Sequence, residues 1–267
     1  MQEALKNWFT NTKKNSYIVR AMVVKNVKEQ YRNSVLGILW TVLNPLLNMI
    51  VMALVFSNLF GRQIEFADYP VYILSGSIVF TLMRSITERS LGCIVNNASL
   101  IKKVKIDYEV FPVSNMFSGL VNFFFSFIAL LVVVIIRPKA YLSFSMLLTV
   151  VYIPSVLLFS LGLGYILCSM FVYFRDIRHL YSVFVTLWMY LTPIFYNFES
   201  LDIKQGFAAT IMKLNPMLYY VNLFRDIIFN TGMDWAMLGI CYLIGIATAI
   251  LGRIFFKLTK RKFILHI

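Results

Sequence analysis

Residues 25–60 read KNVKEQYRNSVLGILWTVLNPLLNMIVMALVFSNLF, and the chain changes its solvent inside that run. Its first part is charged and amphipathic. Val23, Val24, Val27 and Tyr31 recur at helical spacing on one arc, with Lys25, Glu29 and Arg32 on the other side. A helix of this kind lies along a membrane surface. From 36 to 60 no charged residue occurs, and the run is long enough to cross the hydrocarbon core as a helix, with Pro45 inside it.

The rest of the chain continues in the same solvent. Hydrophobic residues make up 60% of it, charged ones 14%, and the mean hydropathy is +0.75, too apolar for a soluble globular domain. Six runs are apolar enough to span a bilayer: 36–60, 70–92, 113–136, 142–174, 181–196 and 235–252. The fifth is the shortest. The fourth exceeds what a bilayer needs and is expected to tilt or to project into the cytoplasm. The expected fold class is therefore all-α integral membrane, with six transmembrane helices behind an N-terminal amphipathic surface helix. Residues 1–267 are expected to form a single polytopic domain, divided into a cytoplasmic segment 1–35, a six-span region 36–256 and a cytoplasmic tail 257–267. The first 35 residues are polar and basic and lack a short apolar core or a cleavage site, so no secretory signal is expected there.

A formal charge of +13 would suggest nucleic acid in a soluble protein, but its distribution points elsewhere. Six crossings put both termini on one side. If that side is the cytoplasm, the inner segments hold the N-terminal cations, Lys102, Lys103, Lys105, Arg175, Arg178 and the basic residues from Arg253 to Lys262. The outer segments hold Arg62, Arg137, Lys139, Lys204, Lys213 and Arg225, balanced by Glu65, Asp68, Glu199, Asp202, Asp226 and Asp234. The basic excess thus lies inside, as the positive-inside rule requires. It reads as topology and anionic-lipid contact, with no nucleic-acid partner.

The connector 197–234 is unusually apolar. Residues 207–214 and 216–229 both have helical character, yet neither crosses a membrane alone. Asn215-Pro216 is a helix start, Asn at the cap and Pro at the first helical position. The expected arrangement is a re-entrant helical hairpin before the last span, with two amphipathic helices resting on the outer surface as the alternative.

Catalytic chemistry finds little footing. His179 and His266 are unaccompanied by ligands at helical spacing, and no P-loop sequence occurs, so neither a metal nor an ATP site is expected in this chain. Cys93, Cys168 and Cys241 are odd in number and widely spaced, which argues against a disulfide framework and predicts buried thiols. Ser160, Gly164 and Cys168 line up every four residues, as do Gly245 and Ala249, the pattern of close helix–helix contact. Ionisable residues inside a span occur in the second run alone, as Arg84 and Glu88 one turn apart with Arg89 beside them. An intrahelical pair and an anion-attracting entrance at Arg84 both fit. Among the many aromatics, Trp40, Trp188, Tyr190, Phe195 and Tyr196 are candidates to line a path through the membrane, although ordinary packing explains any one of them.

Taken in order, Tyr31-Arg32, Ser34, Leu36-Gly37, Trp40 and Asn44-Pro45-Leu46 resemble the start of the permease subunits of ABC transporters that export polysaccharides, such as O-antigens and teichoic acids. The likeness continues through Asn97, Leu100-Ile101-Lys102-Lys103 and Pro112, then Arg175-Asp176, Thr192 to Tyr196, and Asn215-Pro216 followed by Arg225. One departure is that Lys103 to Tyr108 lacks the Phe-Pro step frequent in relatives, the proline coming later at Pro112.

This resemblance implies a homodimeric permease paired with two copies of a separate ATPase subunit, which binds ATP and Mg, while this chain binds no cofactor. The substrate would be an undecaprenyl-pyrophosphate-linked glycan exported across the cytoplasmic (inner) membrane, with both termini cytoplasmic. It also implies site roles. Asn97, Leu100, Lys102, Lys103, Arg175 and Asp176 would couple to the ATPase. Tyr31, Arg32 and Arg84 would form the substrate entrance. Trp40, Asn44, Pro45, Trp188, Tyr190, Pro193 and Tyr196 would line the channel, Pro45 and Pro193 bending their spans. Asn215, Pro216 and Arg225 would belong to an outer gate hairpin. A drug or small-molecule ABC permease is the alternative, and an integral-membrane enzyme acting on lipid-linked sugars ranks below it because the acids are scattered.

Overall fold

The computed structural model describes the chain except residues 1, 32, 33, 35, 38, 61–67, 105, 137–142, 197–206, 266 and 267, with backbone alone for 2–14, 31, 53, 56–60, 207–209, 261 and 265. The described residues form helices joined by short turns and extended links, and contain no strand. In order the helices are α1 Gln2–Tyr31, α2 Leu39–Phe60, α3 Tyr69–Leu91, α4 Cys93–Asn96, α5 Ala98–Lys103 and α6 Val110–Ile136. They continue with α7 Thr149–Tyr173, α8 Ile177–Leu191, α9 Phe207–Leu214, α10 Pro216–Phe229 and α11 Trp235–Thr259. A 3-10 turn, Phe144–Leu148, leads into α7, and another, Lys260–Leu265, follows α11.

Among the described residues, four helices are long and apolar enough to cross a membrane: Tyr69–Leu91, Val110–Ile136, Phe144–Tyr173 and Trp235–Thr259. The stretch Leu39–Met52 of α2 is apolar but shorter. The long fourth run emerges as a 30-residue unit, as expected. The fifth differs in its boundaries, because α8 starts at Ile177 and stops at Leu191. Its end follows from Pro193: the residue before a proline is pushed out of the α region, and Thr192 is extended at φ −90, ψ 129. Pro193 therefore terminates this helix and does not bend it. Pro45 does lie within a continuous helix, supplying no N–H to the turn before it.

The centre of the bundle is α3, which packs against α2, α6, α7 and α10. The most extensive helix pair is α7 with α11. Lipid is as apolar as a leucine side chain, so close backbone approach must hold such pairs together. Gly162 supplies it: a Cβ there would run into the backbone of Thr248 and Ala249, and one on Gly252 into the backbone of Gly162. Gly245 meets the carbonyl of Ser155. The line Ser160–Gly164–Cys168 serves a different neighbour, with Gly164 against Ser90 of α3 and Cys168 against Cys93 at the start of α4.

Two buried clusters result. The larger joins α3, α6, α7 and α10. The smaller holds Met22 of α1, Cys93 and Ile94 of α4, Phe111 of α6, Tyr165 and Cys168 of α7, Phe256 of α11 and Phe263 of the final turn. The amino-terminal helix and the carboxy-terminal turn thus share one packed end of the bundle. The face of α1 that reaches this cluster carries Ile18 and Met22, while Val24, placed on the apolar arc by its spacing, is exposed. Asn26 extends that face by donating to Asn115 and Ser118 of α6 at 3.0 and 3.2 Å.

Candidate docking face, polar groove and strap

At the packed end, α4 and α5 form a corner. Asn97 sits at their junction, its side-chain amide donating to the Cys93 carbonyl at 2.8 Å and its own carbonyl accepting from Leu100 and Ile101. Leu100 packs on the smaller cluster, whereas Lys102 and Lys103 at the end of α5 are exposed. Of the residues expected to couple, Asn97 and Leu100 therefore shape the corner and the two lysines project from it. Arg175 and Asp176 lie in the exposed turn between α7 and α8. The Arg175 guanidinium rests 5.7 Å from the Phe171 ring, and Asp176 begins α8 without a side-chain cap bond.

Between α1, the end of α3, α4 with Asn97, α6 and α8 lies a cavity of about 740 Å³, lined by Lys25, Asn26, Glu29, Glu88, Arg89, Asn96, Asn97 and Arg178 among others. Its carboxylates have partners: Glu88 accepts from Arg84 at 2.8 Å, and Glu29 lies 3.8 Å from Lys25. The Arg84–Glu88 contact is the intrahelical pair that the spacing allowed. Gly92 lets two donors converge, since a Cβ there would stand 2.8 Å from Arg178 Nη2 and 3.0 Å from Asn96 Nδ2. Arg178 also lies over the Phe171 ring at 4.9 Å.

A second, narrower cavity of about 270 Å³ runs between α2, α3 and α6. Trp40, Asn44 and Pro45 line it, together with Asn48, Ser77, Thr81, Ser85, Asn122 and Ser126. Gln30 and Arg89 border both cavities. They are joined there, Arg89 donating to Gln30 Oε1 at 2.6 Å and Asn122 to the same atom at 3.1 Å. Tyr31 ends α1 beside this junction, and Arg32 lies outside the described residues.

The third assembly sits where α8 stops. Buried backbone without helix or sheet bonding needs other partners, above all in a membrane. Residues 192–196 receive them from two other helices. Arg225 of α10 donates to the carbonyls of Pro193 at 2.8 Å and Ile194 at 2.9 Å, and more weakly to that of Tyr72 at 3.3 Å. Tyr69 donates to the Phe195 carbonyl and Tyr72 to the Tyr196 carbonyl, each at 2.9 Å. Asn215 caps α10 through Met217 N at 3.0 Å, accepts from Trp188 Nε1 at 2.7 Å and donates to Thr192 Oγ1 at 2.9 Å. Pro216 follows as the first helical residue, as its sequence predicted. The strap is thus a bonded knot.

Arg225, counted by sequence among the cations of an outer segment, is buried. It is 6% exposed, with its guanidinium 3.5 Å from the centre of the Tyr72 ring. Trp188 is packed among Phe80, Phe159 and Phe184 rather than set on an open wall. Tyr190 remains 60% exposed, its carbonyl accepting from Tyr196. Trp188, Pro193, Tyr196, Asn215, Pro216 and Arg225, assigned to two separate features by sequence, therefore meet in one place, apart from Trp40, Asn44 and Pro45. Tyr69, Tyr72, Gln30, Arg89 and Arg178 were not singled out for these sites. Tyr72 and Arg225 stand 153 residues apart, and only the run of aromatics opening the second span hinted at the first two.

Such a bundle, with several membrane-length helices and polar cavities between them, defines a multi-span helical membrane protein. Residues 17–229 match the family described as ABC-2 type transporter, and the chain belongs to that family. It is similar to the O-antigen export system permease protein RfbA of Myxococcus xanthus, 29% identical over 210 residues covering 79% of each chain. It is 28% identical over 255 residues to the RfbA permease protein of Klebsiella pneumoniae, covering 92% of this chain and 95% of the relative. The polysialic acid transport protein KpsM of Escherichia coli is 22% identical over 78% of this chain and 80% of its own length.

Proposed function

We propose that this chain is the membrane-spanning subunit of an ATP-driven exporter that carries a polyprenyl-pyrophosphate-linked polysaccharide across the cytoplasmic membrane, and that it is not itself an enzyme. One observation carries the reading: α1, α4 with Asn97, and the first turns of α8 border one cavity at one end of the bundle, and the exposed lysines of α5 and the exposed 174–176 turn adjoin α4 and α8 in the chain. A partner seated there touches every element that leads into the spans. The likeness to O-antigen permease proteins over nearly the whole length supports the glycan class.

In this reading the partner is a separate ATPase, present in two copies on a homodimer of this chain. Its nucleotide-dependent states shift the permease between two conformations by differential affinity. Lys102, Lys103, Arg175 and Asp176 contact it, and Asn97 and Leu100 hold the corner rigid. The packed end faces the cytoplasm with both termini, six crossings make the single domain, and α9–α10 dips back into the outer leaflet. Arg32 and Arg84 stand at the entrance, and the strap gates the far end.

Purified alone, the chain is expected to hydrolyse no ATP, and co-expression with an ABC ATPase is expected to yield a stable complex. Lys102→Glu combined with Lys103→Glu should weaken that complex by about tenfold and uncouple ATP turnover from glycan export. Unchanged assembly and export in the double variant would remove α5 from the docking face.

A further inference from the structure

The two cavities share a border, and their chemistry changes across it. On the packed side, Glu29 and Glu88 are each matched by a cation of their own helix. The Arg178 guanidinium faces that cavity with no hydrogen bond among the described residues. Its Nη2 and Asn96 Nδ2 converge over Gly92, in space that any Cβ would fill. Arg89 closes the same wall. Two guanidinium groups and an amide lining one cavity suit the oxygens of a phosphoryl group. Beyond Gln30 the lining becomes uncharged. Asn44 and Asn48 stand one turn apart on α2, and neither side chain makes a hydrogen bond among the described residues. Ser77, Thr81 and Ser126 face them, and Trp40 flanks the groove. Polar side chains at membrane depth are costly unless they face a cavity with something to bond.

From this juxtaposition we infer that the Gln30–Arg89 contact marks the junction of a two-part ligand site. A phosphoryl group sits over Gly92 between Arg178, Asn96 and Arg89, and the uncharged sugar joined to it enters the groove at Asn44, Asn48 and Trp40. The inference rests on the export reading above and adds to it the place where the sugar–phosphate linkage is read. It also adds a selectivity: past Arg89 the described residues of the groove offer amides and hydroxyls and no cation, so it accepts a neutral first sugar and disfavours an acidic one.

The test uses the full chain in phosphatidylcholine nanodiscs and measures lipid binding by native mass spectrometry. The probes are undecaprenyl pyrophosphate, the same lipid bearing one N-acetylglucosamine, and phosphatidylglycerol. The sugar-bearing lipid is expected to bind about tenfold tighter than the bare pyrophosphate lipid. Arg178→Gln should weaken both pyrophosphate lipids by about tenfold, with Arg178→Lys restoring part of the loss. Asn44→Leu with Asn48→Leu should abolish the advantage of the sugar and leave the bare lipid unchanged. A monodisperse elution profile and helical circular dichroism for each variant separate loss of binding from loss of fold. Equal binding of phosphatidylglycerol would make the cavity an ordinary anionic-lipid site, and an unaltered sugar preference in the Asn variants would empty the groove of its role. Either result overturns the inference while leaving the export reading intact. That reading fails by a different observation, namely unchanged surface glycan in cells deleted for the gene.

Discussion

Arg225 shows how much one side chain can hold when it is buried without a carboxylate. Its guanidinium bonds three carbonyls from two segments and lies on the Tyr72 ring, with Nε left without a partner among the described residues. The planar fork suits this geometry, and an ammonium does not reproduce it. Gly76 is part of the arrangement, since a Cβ there would stand 2.8 Å from Arg225 Nη2. Arg225→Met should leave the Pro193 and Ile194 carbonyls unpaired and cost about 2–4 kcal/mol of stability, with Arg225→Lys recovering less than half. Thermal unfolding in detergent reads the effect. Stability equal to the parent in Arg225→Met would mean that water or lipid replaces those bonds at no cost.

At the scale of elements, the helix partners are set by which glycine faces which backbone. Gly162 abuts the backbone of Thr248 and Ala249, whereas a Cβ on Gly239 meets nothing within 4 Å. Gly162→Ala should therefore push α7 from α11 and destabilise by about 1–3 kcal/mol. Gly239→Ala, in an open stretch of α11, should be neutral or stabilising by about 0.5–1 kcal/mol through backbone entropy. The two variants serve as mutual controls in one unfolding series, and an equal response would deny the close approach. Spacing by four residues identified Ser160, Gly164 and Cys168 as a contact line. Periodicity does not name the partner helix, and it passed over Gly162, which belongs to the tighter contact. The end of α8 was likewise legible only in part. Thr192-Pro193 signals a stop, but the apolar residues after it read as more span until Tyr69, Tyr72 and Arg225 are seen to bond their carbonyls.

At the scale of the molecule, Met22 near one end of the chain and Phe263 near the other lie in one buried cluster with Cys93 and Phe111. Lys260 and Arg253 tie that end further through Asp107 and Glu109, at 3.0 to 3.5 Å. If this end is cytoplasmic, single cysteines at Lys102 and Lys262 should resist a membrane-impermeant maleimide in intact spheroplasts and react after permeabilisation. One at Thr231, past the left-handed Asn230 that ends α10, should react from outside. The background for all three replaces Cys93, Cys168 and Cys241 by serine or alanine. Labelling of Lys102→Cys and Thr231→Cys from the same side would refute this orientation.

Read along the chain alone, the residues already specify the membrane as solvent, the helical class, the helix start at Asn215-Pro216 and the basic residues of the α5 corner. Each of these is a local property, carried by hydropathy, by caps or by charge. Only the tertiary structure decided that Arg225 is buried, that Cys93 and Cys168 touch at 3.3 Å, that Gln30 meets Arg89, and that the strap is bonded by α3 and α10. In a chain this uniformly apolar, many helix pairings bury similar surface. The choice among them falls to where glycines allow backbones to touch and where a few polar groups find partners across long separations.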